Sequence, residues 1–351
     1  VTRLATFVQI SDLHFGFPDQ GPALDAEIDW DWRVLEVYDG FLGHHEIALA
    51  HLEEFYSALV DREQAMLIVT GDLTTVGHES QFEMADEYLR DELQPIRRSL
   101  GLHSSDWKSR SIPGNHDHWP GIRRFMLGSS TPHLERCFPW QPDGAETSGV
   151  LDLENGWSVR WVRIDTDADV PPVSRDRFFA RGDFASTLDR AEEQLDATGK
   201  NLQEIRVLLL HHSPRVVGYR SAITDHSKAR LESFMHRNRI HVCLCGHTHL
   251  PGFRIRTLGK NSSVLEACCG STTQLDDFEE AWGGKQRPTW RPNSLIVHRI
   301  IEENGALSWK AVVCDRTESG FVERMMSERP DRKGECGPDR GEIVLALPPP
   351  A

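Results

Sequence analysis

Five short apolar runs in this chain each break off at a residue able to bind a metal ion. Ala5 to Ile10 stops at Ser11-Asp12, Ala65 to Thr70 at Gly71-Asp72, Arg110 to Ile112 at Pro113-Gly114-Asn115, Arg206 to Leu210 at His211-His212, and His241 to Cys245 at Gly246-His247. Short aliphatic runs of this kind, bounded by Gly, Pro or Ser, read as strands buried in a sheet. In sheets covered by helices, ligand sites gather beyond the carboxyl ends of the strands. Five segments scattered between Asp12 and His249 can therefore converge on one site, provided that their strands end on the same side of the molecule.

The intervening sequence supplies the rest of an α/β architecture. Ala48, Leu52, Phe55 and Leu59 recur at helical spacing, Ser80 to Leu93 is a second helix broken before Pro95, and Leu188, Ala191 and Leu195 mark a third that ends near Gly199. Asn155-Gly156 and Asn304-Gly305 each join two alternating runs, and Asn-Gly favours the positive φ angles of a type I′ hairpin turn. Strands and helices alternating at both ends, with hairpins between, predict two mixed sheets packed face to face with helices outside. Residues 1–326 form one catalytic domain in this reading. The Pro-, Gly- and charge-rich stretch 327–351 shows no periodicity and is expected to be an irregular extension.

Frequency separates the informative motifs from the trivial ones. Composition alone produces on the order of one Asp-x-His, about 0.06 Gly-His-x-His and about 0.002 Gly-Asn-His-Asp in a chain like this. Asp12-Leu13-His14 is weak by itself, whereas Gly114-Asn115-His116-Asp117 together with Gly246-His247-Thr248-His249 is specific. Two cations about 3.5–4 Å apart can clamp the attacking and leaving oxygens of an in-line displacement, but they repel and need an anion between them. A single carboxylate such as Asp72 can serve. In an extended segment the x of Asp-x-His and His-x-His puts the flanking side chains on one side. Carboxylate oxygen beside neutral imidazole suits two divalent ions of Mn, Fe or Zn type better than calcium.

The ordered series DLH, GDL, GNHD, HHSP and GHTH resembles the calcineurin-like metallophosphoesterase superfamily from about Thr2 to Val313. The resemblance implies a four-layer α-β-β-α sandwich with a dimetal centre at the strand ends. It implies that Asp12, His14 and His249 hold one metal, that Asn115, His212 and His247 hold the other, and that Asp72 bridges them. His212 is favoured over His211 because the family's ligand tends to stand two residues before the proline, here Pro214; His211 stays open. His116 is implied to protonate the leaving oxygen with Asp117 orienting it, while a metal-bound hydroxide attacks. Thr74-Thr75 depart from the acidic residue or Asn that often follows the Gly-Asp motif. The GNHD and HHSP forms look like the cyclic-nucleotide and glycerophosphodiester phosphodiesterases, so a small phosphodiester is the expected substrate. A phosphomonoesterase or protein phosphatase, a DNA exonuclease and a non-catalytic scaffold of the same fold are the alternatives.

Charge and cysteine usage narrow the setting. Lys and Arg number 39 against 54 Asp and Glu, and a net charge of −15 repels a nucleic-acid backbone, so general nucleic-acid binding is not expected. No run approaches the roughly 20 apolar residues of a membrane span, and the N-terminus lacks the pattern of a signal peptide. Seven cysteines without a CxxC pair suit a reduced, cytoplasmic protein. Arg123, Arg124, Arg215, Arg220 and His118 stand close enough to motif residues to meet a substrate phosphate, or they are ordinary surface and structural groups. The inserts 17–43 and 278–292, with Trp30, Trp32, Trp282 and Trp290, are where substrate choice is expected to be decided. An oligomer is compatible with the sequence.

Overall fold

Strand β1 (Thr2–Ile10) is buried continuously from Ala5 to Ile10, which a strand can be only when both faces of its sheet are covered. The computed structural model describes residues 1–16, 44–94, 96–102, 105–119, 134, 147–198, 203–216, 222–259, 262–273, 293–324 and 341–347. Within them β1 lies mid-sheet, antiparallel to β10 (Ser294–Glu303) and parallel to β2 (Met66–Thr70), with β3 (Ser111–Ile112) beyond. On the other side of β10 come β11 (Ala306–Thr317) and β12 (Gly320–Glu323). The second sheet runs β4 (Thr147–Asp152), β5 (Ser158–Arg163), β6 (Glu204–Leu209), β7 (Val242–Cys245), β9 (Ser262–Cys268) and β8 (Gly252–Gly259). Its strands β5, β6, β7 and β9 are parallel, so their carboxyl ends point one way.

Three apolar clusters separate four layers, as the two-sheet expectation requires. Between the sheets, Phe7 of β1 meets Trp161 of β5 edge-on at 5.1 Å and stacks on Trp309 of β11 at 5.8 Å, among Ile68, Val207 and Leu244. Outside the first sheet, helices α1 (Glu46–Glu63) and α2 (Glu79–Arg90) bury Leu49, Leu52, Leu59, Phe82 and Leu89. Outside the second, α5 (Ala185–Ala197) and α6 (Asp225–Arg237) bury Leu188, Leu195, Leu231 and Phe234. Between these lie two one-turn helices, α3 (Asn115–His118) and α4 (Arg175–Phe178). Cys243 and Cys245 are buried as small apolar groups.

Two expectations about local structure change. The tail beyond residue 327 is not irregular throughout: β13 (Glu342–Ala346) pairs antiparallel with β11, from Ser308↔Ala346 to Val312↔Glu342. The aliphatic run Ile343-Val344-Leu345 accounts for it, with Leu345 and Leu347 buried in the inter-sheet core. The Asn155-Gly156 connection is also not a two-residue type I′ turn. Gly156 alone has positive φ, and Leu153 closes the loop on the Trp157 carbonyl while the Asn155 side chain accepts from the Trp157 N–H. At Asn304-Gly305 both residues do have positive φ, at 50° and 78°, as a type I′ turn needs.

Candidate metal centre

Past the end of β1 and β2 the two chains stay paired. Asp12 N–H donates to the Gly71 carbonyl, His14 N–H to Asp72 and Phe15 N–H to Leu73, so the Asp-Leu-His and Gly-Asp-Leu segments run side by side. Across the gap, Gly246 N–H donates to the His211 carbonyl and brings the ends of β6 and β7 together. The backbone at Asp72 leaves no room beside it. Gly71 has φ 94°, and a Cβ there would strike His211 Nδ1; a Cβ on Gly114 would strike the Asp72 carboxylate.

Two donor groups result, and they share one carboxylate. Asp12, His14, Asp72 and His249 offer ligand atoms within 4.8 Å of one another, as do Asp72, His211 and His247. Asp12 accepts the His247 N–H at 3.1 Å on Oδ2 and faces His249 Nε2 at 3.1 Å on Oδ1. Asp72 accepts the His116 N–H at 2.8 Å on Oδ1 and faces His211 Nε2 at 3.1 Å on Oδ2. That same His211 nitrogen lies 3.1 Å from Asn115 Oδ1 and 3.2 Å from His247 Nδ1. The rings of His14 and His249 stack 5.2 Å apart.

Of the adjacent histidines, the structure brings His211 and not His212 into the cluster, correcting the ligand choice made from the proline spacing. His211 Nδ1 donates to the Thr70 carbonyl at 2.7 Å, which fixes its tautomer and presents Nε2 to the site. His212 turns the other way, with Nδ1 2.7 Å from the Thr166 hydroxyl and Nε2 3.0 Å from the Ala180 carbonyl. Neighbouring residues at a strand end point to opposite sides, so only one can reach the metals. Asp117 needs a similar correction. Its buried carboxylate accepts from the backbone of Leu73, Thr74 and Gly114 and from the Thr74 hydroxyl, so it organises the loops. The His116 ring is oriented instead by the Thr75 carbonyl, 2.6 Å from Nδ1.

Charge is distributed as a cation site requires. Burial disfavours ionised Asp72, but His211 and His116 outweigh it and hold its carboxyl well below the usual range. Burial likewise opposes ionisation of Asp12, while His249 pulls it below its ordinary value. Burial and the neighbouring His116 push His14 down to about 3, and burial with His211 pushes His247 well down, so both rings are neutral, the form in which imidazole can bind a metal. Burial also opposes a charge on His211, yet Asp72 and Asp12 lift it to about 10. The residues fit a metal pair, because one N–H on His211 cannot serve Asp72, Asn115 and His247 at once. His247 Nε2 is buried with no hydrogen-bond partner among the described residues.

Several residues that matter here carry no motif. The Ser271 hydroxyl donates to the Asp12 carbonyl, Thr273 to Leu13, Thr75 to His14, and Ser11 N–H donates to Thr272 Oγ1, so a ring of hydroxyls clamps the Asp-Leu-His backbone. Only their Ser and Thr composition beside a motif could have signalled this, and turns share that composition. His118 pairs with buried Asp165 at 3.0 Å, while Arg215 is half-buried near Gly252. The inserts 17–43 and 278–292 lie outside the described residues, as do Arg123, Arg124 and Arg220.

A family model described as calcineurin-like phosphoesterase matches residues 5–251. No curated protein matches the chain. Among solved structures, GAP50, titled the anchor in the inner membrane complex of Plasmodium, superposes with a TM-score of 0.50 at 9% identity, covering 92% of this chain and 87% of that one. A putative 5′-nucleotidase from Staphylococcus aureus gives 0.40 at 13% identity, over 85% of this chain and 51% of that one. A predicted phosphoesterase from Streptococcus pneumoniae gives 0.31 at 13% identity, over 92% and 98%. The first likeness is one of fold alone.

Proposed function

Because the chain belongs to the calcineurin-like phosphoesterase family, we propose that it is a dimetal hydrolase acting on a small phosphodiester of cyclic-nucleotide or glycerophosphodiester type. The observation that carries this reading is the Asp72 carboxylate shared by two groups of metal-ligating atoms. When bound, two divalent ions of Mn, Fe or Zn type would supply Lewis acidity and lower the pKa of water to near neutrality. Asp12, His14 and His249 would hold one, Asn115, His211 and His247 the other, and Asp72 both.

The chain's own residues do the positioning. His116 N–H fixes one oxygen of Asp72, so the bridging carboxylate cannot rotate out of place. The Thr75 carbonyl holds His116 Nδ1–H and so orients the ring, from which Nε2 would pass a proton to the leaving oxygen as the ester bond breaks. The hydroxyl ring around Asp12 and His14 keeps their carbonyls satisfied, so these ligands are set before substrate arrives. Preference for a diester rests on the GNHD and HHSP forms of the motifs. Five described cysteines are free and buried, in keeping with a reducing compartment, and we place the enzyme in the cytoplasm. Among the described residues no helix is long and apolar enough to cross a membrane.

The purified protein loaded with Mn²⁺ should hydrolyse bis(p-nitrophenyl) phosphate faster than p-nitrophenyl phosphate. Monoester turnover without diester turnover would move the assignment to a phosphomonoesterase. With His116→Ala, diester turnover should fall about a hundred-fold at unchanged metal content; unchanged turnover would remove the proton-donor role.

A further inference from the structure

Gln9 sits in the middle of the sandwich, three residues before Asp12, with its side chain fully buried. Its amide touches three other strands. Oε1 accepts from His298 Nε2 of β10 at 3.0 Å, while Nε2 donates to Thr70 Oγ1 of β2 at 3.1 Å and to the Cys245 carbonyl of β7 at 3.0 Å. Behind it, the Trp309 indole of β11 donates to His298 Nδ1 at 3.1 Å.

Only one arrangement of protons satisfies this chain. An indole N–H can only donate, so His298 Nδ1 accepts and Nε2 carries the hydrogen. Gln9 Oε1 must then face His298, which leaves both amide hydrogens for Thr70 and Cys245. Thr70, having accepted, passes its own hydrogen to the Ile10 carbonyl at 3.3 Å. Burial alone pushes His298 down to about 3, so the ring stays neutral and the direction of the chain does not reverse.

The partners of Gln9 are the last strand residues before the ligands. Thr70 precedes Asp72 by two positions and its carbonyl receives His211 Nδ1–H; Cys245 precedes His247 by two. Each donor group draws ligands from both sheets: Asp12, His14, Asp72 and Asn115 from the first, His211, His247 and His249 from the second. The gap between the sheets therefore sets the size of both metal sites, and metal–ligand distances tolerate only about 0.2 Å. The apolar core between the sheets is non-directional and does not fix a spacing that closely.

We propose that Gln9 is a positioning residue of the metal centre, its amide aligned by Trp309 and His298 so as to tie β1 and β2 to β7 and fix the spacing of the two donor groups. This rests on the dimetal reading above. Gln9→Leu keeps the volume and removes the tie. Titration with Mn²⁺, followed by calorimetry and by electron paramagnetic resonance, should show two equivalents with an exchange-coupled spectrum in the parent protein. The variant should bind the second equivalent about ten-fold or more weakly and lose the coupled signal. A folded Gln9→Leu protein with parental affinity and spectrum would overturn the proposal, whatever its melting temperature. A parent protein that takes up fewer than two Mn²⁺ would instead overturn the dimetal reading and this proposal with it. Should Gln9→Leu fail to fold, Thr70→Val removes one of the amide's two acceptors; it should weaken the second equivalent about three-fold, and unchanged binding there overturns the proposal equally.

Discussion

Asp12, His14, Asp72, His247 and His249 all present their side chains from backbone with φ between 50° and 69°. For residues other than Gly this conformation costs about 1–2 kcal/mol each, somewhat less for Asp, and it persists only where the surroundings impose it. Here the surroundings are the side-by-side loop bonds, the hydroxyl ring and Gly71 and Gly114. Six of the seven candidate positions named from the sequence, Asp12, His14, Asp72, Asn115, His247 and His249, do come together, because Asp, Asn and His stand at strand ends. Their conformation was not: Asp-x-His and His-x-His suggest an extended segment, whereas both flanking residues are left-handed. At the adjacent pair, spacing to Pro214 favoured His212 and left His211 open, and alternation says that one of the two faces the site but not which. The two give opposite outcomes on substitution. His211→Ala should reduce Mn²⁺ content from two equivalents to one and lower kcat/KM on the diester about a thousand-fold. His212→Ala should retain both equivalents and lose less than about ten-fold, as read by elemental analysis and steady-state assays of the same preparations.

At the scale of elements, the clear signals were those written in one local stretch. Helix α1 repeats its apolar residues at helical spacing, and Asn304-Gly305 makes the turn that its sequence favours. β13 escaped because a charged, Pro-rich stretch precedes it and because its five residues become a strand only against β11, some 35 positions earlier in the chain. Its contribution is to the core between the sheets rather than to the site. Ending the chain before residue 341 would uncover Trp309 and Val313 and remove Leu345 and Leu347, at a cost of a few kcal/mol, or about 25 cal/mol per Å² of apolar surface exposed. Such a truncation should lower the melting temperature by roughly 5–10 °C, while two equivalents of Mn²⁺ still bind to the folded form. A truncated protein as stable as the parent would show that β13 packs without contributing.

Across the whole molecule, the sandwich buries titratable groups that answer acid and base in opposite ways. His298 and His44 are pushed by burial down to about 3, and burial with Arg206 and Arg239 pushes His241 to about 4. These rings take up protons on unfolding. Their stabilisation is complete above the unfolded value of 6.5 and is lost as pH falls from there toward 3 to 4. Below 3.8 the depressed carboxyls of Asp12 and Asp72 add to the loss. His211 works the other way, because its folded value of about 10 lies above 6.5: in the metal-free protein its contribution is complete below 6.5 and disappears as pH rises through about 10. A metal ion held at that position would displace the proton and take over the neutralisation of Asp72, so the alkaline loss is expected of the metal-free protein alone. Thermal melts of chelator-treated protein should therefore peak near neutral pH and decline on both sides, with His211 contributing on the order of a few kcal/mol. Melts of the Mn²⁺-loaded protein should hold their plateau to about pH 9 and decline only in acid. Coincident alkaline limbs in the two titrations would mean that the His211 proton and the metal do not share a place.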